Sequence, residues 1–210
     1  MNTNYMRTTN ISRHPLPGLW SHIWAILSLM LLLTSPLQAE TFKGHSTSFA
    51  YTDPTSSAPL ASFVDMNGNP QRISDYQGQV VLVNLWASWC AACIYEMPEL
   101  DALQQELGQQ GLTVLTLNQD LTDGKQALAF LRQQGIKNLT GHLDPNFKFG
   151  HAYNQKLLPM TLLFDTNGKQ IGHLVGVAAW NSSEAKALIR QYLPTGKSET
   201  HTKRLKNNQA

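Results

Sequence analysis

The chain has 210 residues, of which 42% are hydrophobic and 14% charged, with a formal net charge of +2. That length allows one domain with tails. Both excess positives lie in residues 1–39, and the remaining residues balance 14 Lys+Arg against 14 Asp+Glu, which excludes a basic surface built for nucleic acid.

Residues 1–39 read as a secretory signal. Arg7 and Arg13 make a basic start without acids. Leu19 to Leu33 is an apolar run of about 15 residues, broken only by Ser21, His22 and Ser28, and Ala39 is the small residue at the expected cut. A spanning helix needs about 20 apolar residues, so cleavage is favoured over the alternative, an uncleaved N-terminal membrane anchor. Export predicts a periplasmic location. Residues 40–59, rich in Ser, Thr and Pro, read as a linker or extended lead-in. The domain is expected over 60–193. Residues 194–210 are locally basic but lack apolar residues that could pack, and read as a solvated, disordered tail.

Within the domain, "ASFVDMNGNPQRISDYQG" predicts two short strands around Asn67-Gly68, a pair that tolerates positive φ. "VVLVNLWA", Val80 to Ala87, is a continuous run of β-formers and predicts a strand buried on both faces. "AACIYEMPELDALQQELGQQG" predicts a helix with Leu100, Leu103 and Leu107 on one face, stopped at Gly111. Pro98 inside it removes the hydrogen bond to the carbonyl of Ile94 and predicts a kink. A second buried strand, "LTVLTLN", precedes a second helix, "DGKQALAFLRQQG", with Ala127, Phe130 and Leu131 on one face. "LTGHLD" predicts a weaker strand and "PNFKFGHAY" a short helix beginning at Pro145. "MTLLFDTNGKQIGHLVG" predicts a hairpin turning at Asn167-Gly168, and "SSEAKALIRQYL" a closing helix capped by Ser182 or Ser183. The order predicts an α/β fold: a central mixed sheet with helices on both faces and an N-terminal β-hairpin.

Cys90 and Cys93 are the only cysteines. Cys90 falls where the buried strand gives way to the helix. Unpaired N–H groups and the positive end of the helix dipole would face its sulfur, which favours thiolate. Cys93 sits one turn on, at a spacing that lets the sulfurs bridge. Cys90 is then the attacking sulfur and Cys93 the resolving one. Buried structural thiols suit an exported chain less well. A zinc site needs about four ligands, and residues 40–210 hold no further cysteine and no H-x₃₋₅-H pair. A static disulfide would close too small a loop to add much stability.

The stretch "VVLVNLWASWCAACIYEMPEL" resembles the thioredoxin superfamily and, more narrowly, its exported TlpA/ResA-type thiol–disulfide oxidoreductases. The resemblance covers about residues 59–193. It implies a thioredoxin-like fold and thiol–disulfide exchange on protein clients, with no organic cofactor and no metal. It implies that Glu96 assists proton transfer at the resolving cysteine, and that Pro159 is cis and faces the cysteines. A cis-Pro there would leave the backbone of Leu158 to pair with an extended client segment. Trp86 is expected in the core and Trp89 at the active-site surface. Asn84 stands where cytosolic thioredoxins keep a buried acid, which leaves Glu96 as the proton relay. A membrane-embedded thiol donor is implied for re-reduction, and the protein is expected to act as a monomer.

Two departures matter. Ala91-Ala92 between the cysteines brings no proline, ring or charge, so nothing beyond the helix end favours a strongly oxidising couple. Relatives that serve cytochrome c maturation often carry glycines before the cis-Pro, whereas this chain has "QKLLPMT". Leu157, Leu158 and Met160 read equally as an apolar client groove or as core. The expected function is a disulfide reductase. The alternatives are a peroxiredoxin-like peroxidase, whose Pro- and Thr-led cysteine motif is missing, and a redox-inert binding or metallochaperone module.

Overall fold

A computed structural model describes residues 42–53, 59–121 and 124–194. The leader read over 1–39, part of the linker and nearly all of the tail lie outside these residues. In chain order the elements are β1 (Ala50–Tyr51), β2 (Ser62–Asp65), β3 (Pro70–Arg72), β4 (Val80–Trp86), α1 (Ala91–Leu107), β5 (Leu112–Asn118), α2 (Gly124–Gln133), β6 (Thr140–Leu143), α3 (Lys148–Ala152), β7 (Met160–Phe164), β8 (Gln170–Val175) and α4 (Ser183–Arg190). The strands form one sheet in the order β1-β8-β7-β4-β5-β6-β2-β3. β4, β5 and β6 run parallel, and the other pairings are antiparallel.

The apolar run of β4 is buried along its whole length, as a central strand requires. Alternation splits its side chains. Val80, Leu82 and Trp86 join the core under α1, α2 and α4. Val81, Val83 and Leu85 join a second core with Phe63, Phe149 and Tyr153, under α3. Each buried leucine contributes roughly 1.5–3 kcal/mol of transfer free energy.

Both Asn-Gly turns form where the sequence predicts them, by one shared device. Asp65 Oδ1 accepts the N–H groups of Asn67 and Asn69 at 2.8 and 2.9 Å, and Asp165 Oδ1 accepts those of Asn167 and Lys169, both at 2.9 Å. Gly68 and Gly168 take φ of 87° and 78°, a region closed to most side chains. Ser182 caps α4, its hydroxyl accepting the N–H of Ala185. Pro98 lies within α1, on its exposed side.

Two expectations change. The helix expected from Pro145 is broken. Pro145–Phe147 forms a 3-10 turn, Asn146 and Phe147 take positive φ (57° and 58°), and α3 starts only at Lys148. The cause is Asp144, whose buried carboxylate accepts the N–H groups of Phe149 at 2.7 Å and Gly150 at 2.9 Å and so caps the later start. The lead-in is also more than a linker in its first part. Phe42 and Phe49 are buried, and β1 pairs with β8. Phe42 packs on Trp180 with ring centroids 5.2 Å apart. His45 N–H donates to the Val177 carbonyl at 2.9 Å. Residues 42–51 thus strap the loop that follows β8. Phe42→Ala is expected to cost about 2 kcal/mol, the transfer free energy of one buried aromatic. Urea unfolding measures it, with a shift in midpoint at constant m-value.

Candidate functional site

Parallel strands β4 and β5 end side by side, Trp86 opposite Asn118, and β7 begins beside the end of β4, Met160 opposite Leu85. This register brings three loops to one edge of the sheet: Ala87–Cys90, Gln119 onward, and the approach to Pro159. Carboxyl ends of parallel strands are where α/β sheets open toward ligands.

Cys90 is the N-cap of α1. Its φ and ψ are −88° and 93°, and its sulfur accepts the N–H of Cys93 at 3.2 Å. One of the four unpaired donors at the helix start is thereby aimed at the sulfur. In the reduced state this donor and the helix dipole favour thiolate. The two sulfurs are joined as a disulfide, with Cα atoms 5.3 Å apart. Cys90 keeps 7% of its surface and Cys93 none. An incoming reagent therefore meets Cys90. The loop before it is pinned by Asp120, whose carboxylate accepts the Ser88 N–H at 3.0 Å. Trp86 is core, whereas Trp89 is 72% exposed beside Cys90.

Glu96, one turn beyond Cys93 on α1, is fully buried. Its Oε1 accepts from Asn84 Nδ2 at 2.8 Å. Its Oε2 accepts from the Ala178 N–H and the Trp180 indole N–H, both at 3.2 Å. Burial pushes the carboxyl up to about 7, against the lowering effect of the three hydrogen bonds. It can therefore take and give a proton near neutral pH. Asn84 Nδ2 also donates to Thr161 Oγ1 at 2.9 Å across the β4–β7 pair.

The Leu158–Pro159 peptide is cis. The Pro159 carbonyl accepts the Gly176 N–H at 2.8 Å, which ties this loop to the end of β8. Leu158 is half-buried against both cores, Met160 is buried and Leu157 is 66% exposed. Of the three apolar residues around Pro159, Met160 is thus core and Leu157 stands at the surface. Among the described residues, no group of three or more His, Cys, Asp or Glu side chains could hold a metal ion. No helix among them is long and apolar enough to cross a membrane.

Sequence reasoning missed Trp180, Ala178, Thr161 and Asp120. Trp180 and Ala178 reach Glu96 from 84 and 82 residues away, in a loop with no local signal. Asn84 was legible only as a missing acid. Its direct bond to Glu96 needed the fold.

The Redoxin family profile matches residues 53–189. The thiol–disulfide oxidoreductase ResA of Geobacillus kaustophilus is 32% identical over 114 residues, 54% of this chain and 64% of that protein, so this alignment spans a little under two thirds of the relative. ResA of Bacillus thuringiensis is 25% identical over 165 residues, 79% of this chain and 91% of that protein. Among solved structures, a Chlorobium tepidum protein assigned as a thiol:disulfide interchange protein DsbE superposes with a TM-score of 0.59 at 29% identity. It covers 68% of this chain and 99% of its own. With the cysteine pair at the helix start and the mixed sheet behind it, these likenesses agree: the chain belongs to the Redoxin family and is a thioredoxin-like thiol–disulfide oxidoreductase.

Proposed function

We propose that the protein is an exported, periplasmic disulfide reductase acting on protein clients. Cys90 is the nucleophile, Cys93 the resolving thiol and Glu96 the proton carrier. Trp89 and the Leu158-Pro159 segment receive the client. The observation that carries this reading is the pair of unequal environments one helical turn apart. One sulfur is reachable and faces a helix-start N–H. The other is sealed, one helical turn before a buried carboxyl that titrates near 7.

The reduced enzyme attacks a client disulfide through Cys90 thiolate. A Cys90–client disulfide forms, and the first client sulfur leaves as thiolate and is protonated. Cys93 then gives its proton to Glu96 and attacks the Cys90 sulfur. The second client sulfur leaves, and the Cys90–Cys93 disulfide of the structure remains. Two electrons have passed from the enzyme to the client. A membrane thiol donor returns them, and the balance needs no cofactor. The basic, then apolar, order of residues 1–39 supports export, by a cleaved signal or a retained anchor.

The reduction potential of the pair against glutathione tests the direction. With alanines between the cysteines, a value near about −270 mV is expected, at the reducing end of the superfamily range. A value near about −120 mV would make the protein an oxidant and overturn the reductase reading.

A further inference from the structure

The hydrogen-bond partners of Glu96 divide its two oxygens. Oε2 faces two groups that can only donate, a backbone N–H and an indole N–H. A proton on Oε2 would set donor against donor twice. The carboxyl proton therefore sits on Oε1, which faces Asn84. In the present arrangement Asn84 offers an N–H there too, which suits the carboxylate and opposes the acid.

Asn84 carries the means to serve both. It is fully buried, and its Oδ1 has no hydrogen-bond partner. A half-turn about the last side-chain torsion exchanges Oδ1 and Nδ2, which differ little in size. Oδ1 would then face Glu96 Oε1 and accept its proton. Thr161 Oγ1, now 2.9 Å from Nδ2, is compatible with either state, because a hydroxyl accepts from an amide N–H and donates to an amide oxygen. Each orientation leaves one end of the amide unpaired, the oxygen now and the NH2 group after rotation, and the protonation of Glu96 decides which orientation avoids setting donor against donor. Two buried donors set against each other lose the bond and leave both groups unpaired, which favours the rotated amide when Glu96 carries its proton.

We propose that the Asn84 side-chain amide rotates with the protonation of Glu96, donating to the carboxylate and accepting from the carboxylic acid. Asn84 is thus a positioning residue that gives Glu96 a satisfied partner in both halves of its proton cycle. The inference rests on the reading of Glu96 as the proton carrier for Cys93. In the forward step the Cys93 S–H bond breaks, the Glu96 Oε1–H bond forms, and the amide turns to receive it. Re-reduction reverses all three.

The test is NMR on the full-length chain in its disulfide state, with labelled Asn amide nitrogen, Thr methyl groups and Glu carboxyl carbon. At pH 9 the Asn84 amide protons should show cross-peaks to the Thr161 side chain. Most of that intensity should vanish by pH 5, with the midpoint of the Glu96 carboxyl carbon. In Glu96→Gln, whose own N–H needs an acceptor at Asn84, the rotated pattern should persist at every pH. Asn84→Asp should replace the single carboxyl titration by two steps, since two carboxyls at that distance share a proton. Cross-peaks unchanged across the Glu96 titration overturn the rotation, and so does a single unshifted step in Asn84→Asp. If the amide rotates but Glu96→Gln leaves the pH dependence of client exchange untouched, the rotation stands and the proton-carrier reading of Glu96 fails.

Discussion

Replacing Cys90 with Ser is expected to reduce turnover of a protein disulfide to background, a loss on the order of 10³-fold or more, as for removal of any obligate nucleophile. The Cys93→Ser variant should behave differently. It can still attack, because Cys90 retains its partly open surface and the N–H from residue 93. It cannot resolve, because no other cysteine exists in the chain. Clients should therefore accumulate on Cys90 as mixed disulfides, visible on non-reducing gels and cleared by dithiothreitol. Adducts on Cys93 in a Cys90→Ser variant, with none on Cys90 in Cys93→Ser, would reverse the assignment. The difference in burial makes that outcome contrary to the geometry.

The second large effect belongs to Glu96 and shows in stability as well as rate. Its carboxyl titrates near 7 in the folded protein against about 4.5 when exposed. Below pH 4.5 the group is neutral in both states and exerts no differential effect. Between 4.5 and 7 the folded state holds a proton that the unfolded chain releases, so stability falls as pH rises through this window. Above 7 the cost is complete, at about 3 kcal/mol. Glu96→Gln cannot ionise. Relative to the parent, it should gain about 3 kcal/mol between pH 4 and pH 8, read from urea midpoints at each pH. The same variant should exchange disulfides more slowly at pH 7, by about 10²-fold, the lower end for loss of a general base. Its rate should also lose the inflection near pH 7. A stability difference flat with pH would show that burial does not hold the proton on Glu96.

The parts of this molecule that were legible from sequence are those written in local pattern. The two Asn-Gly turns, the buried run of β4 and the cysteine pair at a strand-to-helix joint each depend on residues within a few positions. Glu96 and the cis bond before Pro159 were legible only through the family resemblance, because a helix glutamate and an X–Pro pair carry no local signal of their own. The rest was hidden by distance along the chain. Asp144 delays α3 through a side chain that accepts two backbone N–H groups five and six residues later, and periodicity does not register such a cap. Phe42 and Phe49 lie in a Ser/Thr-rich stretch that looks unstructured until β8 and Trp180 supply a surface for them. The partners of Glu96 come from β4, β7 and the loop after β8, and no local propensity links these segments.

The reach from Ala178 and Trp180 back to Glu96 also sets a schedule. A growing chain presents both cysteines and Glu96 by residue 96, but the two donors on Oε2 lie 82 and 84 residues later. At 5–20 residues per second, synthesis needs roughly 4–16 s to supply them. For most of that interval the strand order is incomplete, since β7 and β8 are finished only at residues 164 and 175, and a carboxyl without its burying partners keeps an ordinary acidic pKa. The nascent chain therefore carries its cysteine pair before the burial that raises the Glu96 pKa is in place. On the role proposed for Glu96, full exchange competence is expected to arrive only when the loop after β8 has been made and folded onto α1.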